Sequence, residues 1–274
     1  MLFDDNVCKL GEGPLWHPTR GELFWFDILN RQLRTQNAVW TFEEYVSAAG
    51  WVDETTLIVA SQTALWRFDI ASDDCTMLVE LEADNPVTRS NDGRADPQGG
   101  FWIGTMGINA EHEAGAIYRY YKGELRQLFD KITISNAICF APSGDLAYFA
   151  DTGVAKVWRV KLDAEGWPIG EPEVFLDLAA DGLNPDGAVV DSQGNFWNAQ
   201  WGANRVAKYD PAGNLVEAVS FPAEQTSCPA FGGPDLKTLF VTSAADGLTG
   251  EHEGKTYCAD VNATGQREHQ VILG

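Results

Sequence analysis

The stretch GNFWNAQW at 194–201, answered by RVAKYDP at 205–211, carries the pattern on which the rest of the chain is built. A glycine turn launches an aromatic-rich strand, a short break follows, and a second run alternates its side chains with period 2. The same unit recurs as GGFWIGT at 99–105 with GAIYRYY at 115–121, and as GDLAYFADT at 144–152 with KVWRVKL at 156–162. It appears again as LKTLFVTS at 236–243 with KTYCADV at 255–261, and as ETTLIVA at 54–60 with ALWRFDI at 64–70. GELFWFDI at 21–28 opens the series. With Phe24, Ile58, Trp102, Tyr148, Phe196 and Phe240 as equivalent points, the spacings are 34, 44, 46, 48 and 44 residues. A period in the mid-forties with paired strands in each unit is that of propeller blades.

Six such units fill the chain, and no linker or low-complexity stretch divides it. The expectation is an all-β, six-bladed β-propeller around a central channel, one domain over residues 1–274. Leu2–Leu10 and QVILG at 270–274 are expected to close the ring by pairing within one blade, because an open ring leaves a bare strand edge. Trp25, Trp66, Trp102, Trp158 and Trp197 stand at repeat-equivalent strand positions and are expected to pack between blades.

The chain has 40 acidic residues against 19 basic ones, a formal charge of −21. That excess repels phosphate backbones and anionic membrane faces, so neither nucleic acid nor membrane is expected as a partner. No apolar run approaches the eighteen or so residues of a membrane span, and MLFDDNVCKL lacks the basic and apolar regions of a secretory signal. Five scattered cysteines with no CxxC pair fit reduced thiols. Together these lead to the expectation of a cytoplasmic protein, a monomer or weak homo-oligomer.

GxSxG, HExxH and P-loop motifs are absent, and the four histidines show no metal-ligand spacing. His17, in a WHP turn, reads as structural. What remains is a set of carboxylates and carboxamides standing ahead of the aromatic strands: Glu12 in LGEGPLW, Asn91 and Asp92 in RSNDGRADPQGGFW, Asn136 in ISNAICFAPSGD, and Asp186 in NPDGAVVDSQGNFW. Taken singly, Asp92-Gly93 and Asp186-Gly187 read as turns. Glu12, between two glycines, is not a turn former, and Asn136 in an apolar setting must find partners for its amide. Equivalent positions in successive blades surround one channel mouth, and an oxygen-only set of Glu, Asn and Asp suits a hard or borderline divalent cation.

LGEGPLWHP, RSNDGRADPQGGFWIGTM, GAIYR, ISNAICFAPSGD, NPDGAVVDSQGNFW and SCPAFGGPDLKTLFVTS run in the order found in the regucalcin and gluconolactonase group of sugar lactonases, which this chain resembles over nearly its whole length. The resemblance implies a six-bladed propeller and hydrolysis of a sugar lactone. It implies one divalent ion (Ca²⁺, Zn²⁺, Mn²⁺, Mg²⁺ or Fe²⁺) on Glu12, Asn136 and Asp186, with Asp186 also the general base. Arg89 would contact substrate, Asn91 would be a substrate contact or a further ligand, and Glu111 would face substrate, with Glu113 its alternative. The chain departs from the family at Ala137, where glycine usually follows the asparagine. Two other readings stand beside the sugar lactonase: an aryl-ester or organophosphate hydrolase using the same site, and a non-catalytic calcium-binding propeller, since one fold hosts unrelated functions.

Overall fold

The computed structural model describes residues 1–274. Apart from three short 3₁₀ turns it is built of strands, and these form six four-stranded antiparallel sheets. After β1 (Leu2–Asp4), blade one contains β2 (Gly11–His17), β3 (Glu22–Asp27), β4 (Gln32–Arg34) and β5 (Val39–Thr41). Blade two follows with β6 (Val46–Trp51), β7 (Thr56–Ser61), β8 (Ala64–Asp69) and β9 (Cys75–Glu80). Blade three is β10 (Thr88–Ala95), β11 (Phe101–Gly107), β12 (Gly115–Tyr121) and β13 (Glu124–Ile132). Blade four is β14 (Ser135–Phe140), β15 (Leu146–Asp151), β16 (Lys156–Leu162) and β17 (Pro168–Asp177). Blade five is β18 (Asn184–Val190), β19 (Phe196–Trp201), β20 (Arg205–Tyr209) and β21 (Leu215–Ser220). Blade six is assembled from both ends of the chain: β22 (Gln225–Gly232), β23 (Thr238–Ala244) and β24 (Thr256–Asp260) are completed by β1, giving the order β1-β24-β23-β22.

The aromatic runs in the sequence are the second and third strands of the blades. Their side chains fill the space between neighbouring sheets: Phe24, Phe26 and Leu33 of blade one pack on Val46, Leu57, Val59 and Phe68 of blade two. In the same way Tyr148 and Phe175 of blade four meet Phe196 of blade five. Each fully buried Leu or Phe contributes roughly 1.5–3 kcal/mol, so packing between blades, rather than the ladders inside one, holds the ring. Trp25, Trp102 and Trp197 are fully buried in this packing, while Trp66 and Trp158 are half-buried on third strands.

The first strands β2, β6, β10, β14, β18 and β22 lie side by side around the axis. Each carries one register break: Glu12/Leu15, Val46/Ala48, Ser90/Gly93, Asn136/Cys139, Pro185/Ala188 and Thr226/Pro229. A bulge leaves residues off the ladder and re-aims their side chains. The carboxylates and amides expected ahead of the strands therefore lie on the innermost strands themselves. Asp92-Gly93 and Asp186-Gly187 are bulges, not turns.

Ring closure differs from expectation in one half. The N-terminal residues do join blade six, through Leu2↔Tyr257 and Asp4↔Thr256. QVILG does not. After β24 the chain turns under the ring as a strap: Gly265 N–H donates to Leu236 O (2.8 Å), Gln266 Nε2 to Phe140 O and Val190 O (2.9 Å each), Val271 N–H to Trp51 O (2.9 Å) and Ile272 N–H to Gly99 O (2.9 Å). These partners belong to blades six, four, five, two and three, so the strap bridges five of the six blades.

Candidate functional site at the channel mouth

Starts of the inner strands share one end of the channel. A cleft of about 580 Å³ opens there, lined by Glu12, Arg89, Asn91, Asn136, Thr152, Asn184 and Asp186 together with Leu10, Met106, Ile134, Trp201 and Asp246. Five of the six expected site residues thus converge from blades one, three, four and five. Glu111 does not join them. Its carboxylate turns back on its own loop, accepting from Asn109 N–H and Nδ2 (3.0 Å each), bonds that hold its pKa below the ordinary value. Ala110 of that loop reaches the cleft instead. Glu113 is exposed beside His112, away from the lining residues.

At the mouth the polar side chains are ordered by one another. Arg89 Nη1 donates to Asn91 Oδ1 and to Ser90 O (2.8 Å each). Asn91 Nδ2 donates to Ser135 O (2.8 Å) and Asn136 Oδ1 (3.1 Å), and Asn136 Nδ2 to Thr152 Oγ1 (2.9 Å), which donates to Pro185 O (2.6 Å). The chain of donors fixes each amide: Asn136 turns its nitrogen toward Thr152 and its oxygen toward the cleft. Glu12 Oε2 accepts from Gly13 N–H (2.9 Å) and shares a hydrogen bond with the Asp186 carboxyl.

Glu12, Arg89, Asn91, Asn136 and Asp186 are each at most 6% exposed, so these charges are held out of water. Burial first, then the neighbouring Asp92 charge, pushes Glu12 above the ordinary carboxylate range. Burial and then Glu12 do the same to Asp186. Asp92 lies below them, its Oδ2 accepting from Ile138 N–H (2.6 Å), and burial raises it to about 6. Burial lowers Arg89 to about 10, which leaves it charged at neutral pH. Along the channel axis four carboxylates (Glu12, Asp92, Asp186 and Glu268) face two guanidiniums (Arg89 and Arg94), and of these Arg94 is already paired with Glu268 at 2.5 Å. Fully ionised, the cluster carries two more negative than positive charges: one at the mouth, where Glu12 and Asp186 share Arg89, and one on Asp92 below.

Nowhere in the chain do three His, Cys, Asp or Glu side chains converge as metal ligands. The mouth offers a different set, two carboxylates with a carboxamide oxygen. All three donors are hard oxygens, the amide oxygen is turned the right way by Thr152, and a divalent cation carries the charge the cluster lacks. The residues fit such an ion.

The sequence reading missed Thr152, Trp201, Met106 and Asp246. For two of them a signal exists. Asp27 and Asp151 end their second strands opposite Gly11 and Ser135, and each carboxylate takes two backbone N–H groups of the entering chain. The register-equivalent residues, opposite Arg89 and Asn184, are Met106 and Trp201. Where the repeat drops its aspartate, an apolar side chain faces the cleft.

A model of the SMP-30/gluconolactonase/LRE-like region matches residues 10–245. An L-arabinolactonase of Azospirillum brasilense is 33% identical, over 96% of this chain and 92% of its own. A 6-deoxy-6-sulfogluconolactonase of Pseudomonas putida is 31% identical, over 94% of each chain. The crystal structure of a calcium-binding protein, regucalcin, from Agrobacterium tumefaciens superposes with a TM-score of 0.96 at 39% identity, covering 99% of this chain and 97% of that one.

Proposed function

The chain belongs to the SMP-30/gluconolactonase/LRE-like family, and we propose that it hydrolyses a sugar lactone to the sugar acid, with one divalent cation held by Glu12, Asn136 and Asp186. The observation that carries this reading is the pair of buried carboxyls at the mouth, Glu12 and Asp186, set side by side with Arg89 as the one guanidinium near both. Burying like charges side by side costs several kcal/mol unless a partner neutralises them. Arg89 can balance only one of the two, so ionising both leaves a charge that a cation from solution can match.

Hydrolysis of a lactone adds water to the ring carbonyl, breaks the ring C–O bond and delivers a proton to the departing alkoxide. A cation bound at the mouth would supply Lewis acidity, polarising the carbonyl and acidifying a water. The chain's own groups do the rest. Arg89, anchored by its bonds to Ser90 O and Asn91, presents a fixed charge to hydroxyl or carbonyl oxygens. Asn91 spends its Nδ2 on Ser135 O and Asn136, so it positions rather than donates to substrate. Asp186 takes the proton of the attacking water and returns one to the alkoxide. As a cation ligand it is a weakened base, and acidification of the water offsets that. Met106, Ile134 and Trp201 give the cleft apolar surface on which the C–H face of a sugar ring can rest.

The test is a pH-drop assay on a panel of aldonolactones, with metal-stripped protein and each of Ca²⁺, Zn²⁺, Mn²⁺, Mg²⁺ and Fe²⁺ restored in turn. The proposal expects ring opening that depends on an added ion. Binding of an ion with no turnover on any lactone would leave the non-catalytic cation-binding reading in its place.

A further inference from the structure

The strap beneath the ring makes one contact that packing does not require. Glu268 enters the channel from below and pairs with Arg94, both carboxylate and guanidinium nearly inaccessible. Arg94 spends its Nε on the carbonyl of Ile138 (3.3 Å), while the N–H of the same residue donates to Asp92. Ile138 is therefore gripped at both ends of its backbone. It lies in the bulge of β14, two residues after Asn136 and next to Ala137, whose φ of 57° is unfavourable for any side chain larger than glycine's. A bulge with a strained member keeps its shape only if its surroundings over-determine it. The grip holds the peptides on both sides of Ile138, and the first of them joins Ile138 to Ala137, the residue directly after Asn136.

We propose that the C-terminal strap is a positioning device for the channel-mouth site: Glu268 holds Arg94, Arg94 holds the Ile138 carbonyl, and this fixes the bulge that aims the Asn136 amide oxygen at the cation. The inference rests on the cation reading of the mouth. Neither Glu268 nor Arg94 touches substrate or cation, so both act through Ile138. Groups that orient a metal ligand from behind are worth about 10–100-fold in metal affinity, and an effect of that size is expected here.

The experiment is titration of metal-stripped wild-type, Glu268→Gln, Glu268→Asp and Arg94→Lys proteins with Mn²⁺ alone, alongside their thermal midpoints without metal. Glu268→Gln should weaken Mn²⁺ binding about tenfold or more, and Glu268→Asp should recover part of the loss. Arg94→Lys keeps a charge for Glu268 but cannot also reach the Ile138 carbonyl, so its affinity should fall as well even where its midpoint stays close to wild type. Should Glu268→Gln fail to fold, Arg94→Lys carries the test by itself. Wild-type affinity in both Glu268→Gln and Arg94→Lys, whatever their midpoints, overturns the positioning role. Absence of Mn²⁺ binding by the wild type overturns the cation reading itself, a distinguishable outcome.

Discussion

The two ends of the channel both bury charge, and they treat it in opposite ways. At the base Arg94 meets Glu268 at 2.5 Å; burial pulls its pKa down, but Glu268, joined by smaller contributions from Cys228, Asp92 and Cys139, outweighs it and the net shift is upward. At the mouth Glu12 and Asp186 meet each other, and burial and repulsion both push upward. One end is a finished ion pair; at the other, two carboxyls stand together beside a single guanidinium. The contrast teaches that burial alone does not mark a site. Arg119 and Asp96 are also fully buried, yet they are paired at 2.6 Å, with Tyr121 and Trp167 stacked on the guanidinium, and are accounted for by structure alone. Unbalanced burial is the functional signal.

If the mouth is the reactive end, Asp186→Asn should break it most severely. A fall in kcat of about 10³-fold is expected, within the range for losing a general base, with the circular dichroism spectrum unchanged. Near-normal turnover would remove Asp186 from the chemistry.

Glu12→Gln sharpens the contrast through stability. A carboxyl whose folded pKa is raised binds its proton more tightly in the native state. Its stabilising effect is complete below the ordinary value of 4.5 and is lost as pH rises toward the raised value. Metal-stripped wild-type protein should therefore lose thermal stability between pH 4.5 and pH 8 more steeply than Glu12→Gln. At pH 8 the variant should melt higher by roughly 2–6 °C while failing to gain stability from Mn²⁺. A variant less stable than wild type throughout would mean that the two carboxylates do not repel.

Smaller effects are expected away from the charges. Trp201→Ala removes apolar surface from the cleft and should raise KM for an aldonolactone about three- to tenfold, a loss of order 1 kcal/mol, with kcat nearly kept. Equal losses in both constants would place Trp201 in the transition state instead. Ala137→Gly relieves a left-handed alanine and should raise the midpoint by about 2–4 °C, from roughly 1 kcal/mol of strain. No change there would mean that the bulge costs nothing.

The blades were legible because the strands that pack between them carry aromatics, and burial on both faces leaves a strong periodic trace. The inner strands were not, since sequences such as TRSNDGRA at 88–95 read as turn-rich loop. Their polar and glycine content serves the channel and its bulges, and ring geometry overrides local propensity. Glu12, Asn91, Asn136 and Asp186 could be named because four of the six units carry such a side chain ahead of the aromatic strand, and the family resemblance supplied their roles. Which atoms face the cleft, and the reversal of Glu111 onto Asn109, depend on backbone paths that no spacing encodes. The C-terminal strap had no repeat to betray it: Glu268 finds Arg94 across 174 residues of chain. QVILG looks like a strand yet serves as a brace. No helix is long and apolar enough to cross a membrane.

The measurement that reaches the central claim most directly is calorimetric titration of metal-stripped protein with Mn²⁺ at pH 7 in two buffers of different ionisation enthalpy. Carboxyls held protonated by burial and by each other must release that proton when a cation takes their oxygens. The account predicts one Mn²⁺ per chain, with about one proton released per ion bound, and loss of both signals in Glu12→Gln. Binding without proton release, or binding that survives intact in Glu12→Gln, would contradict it.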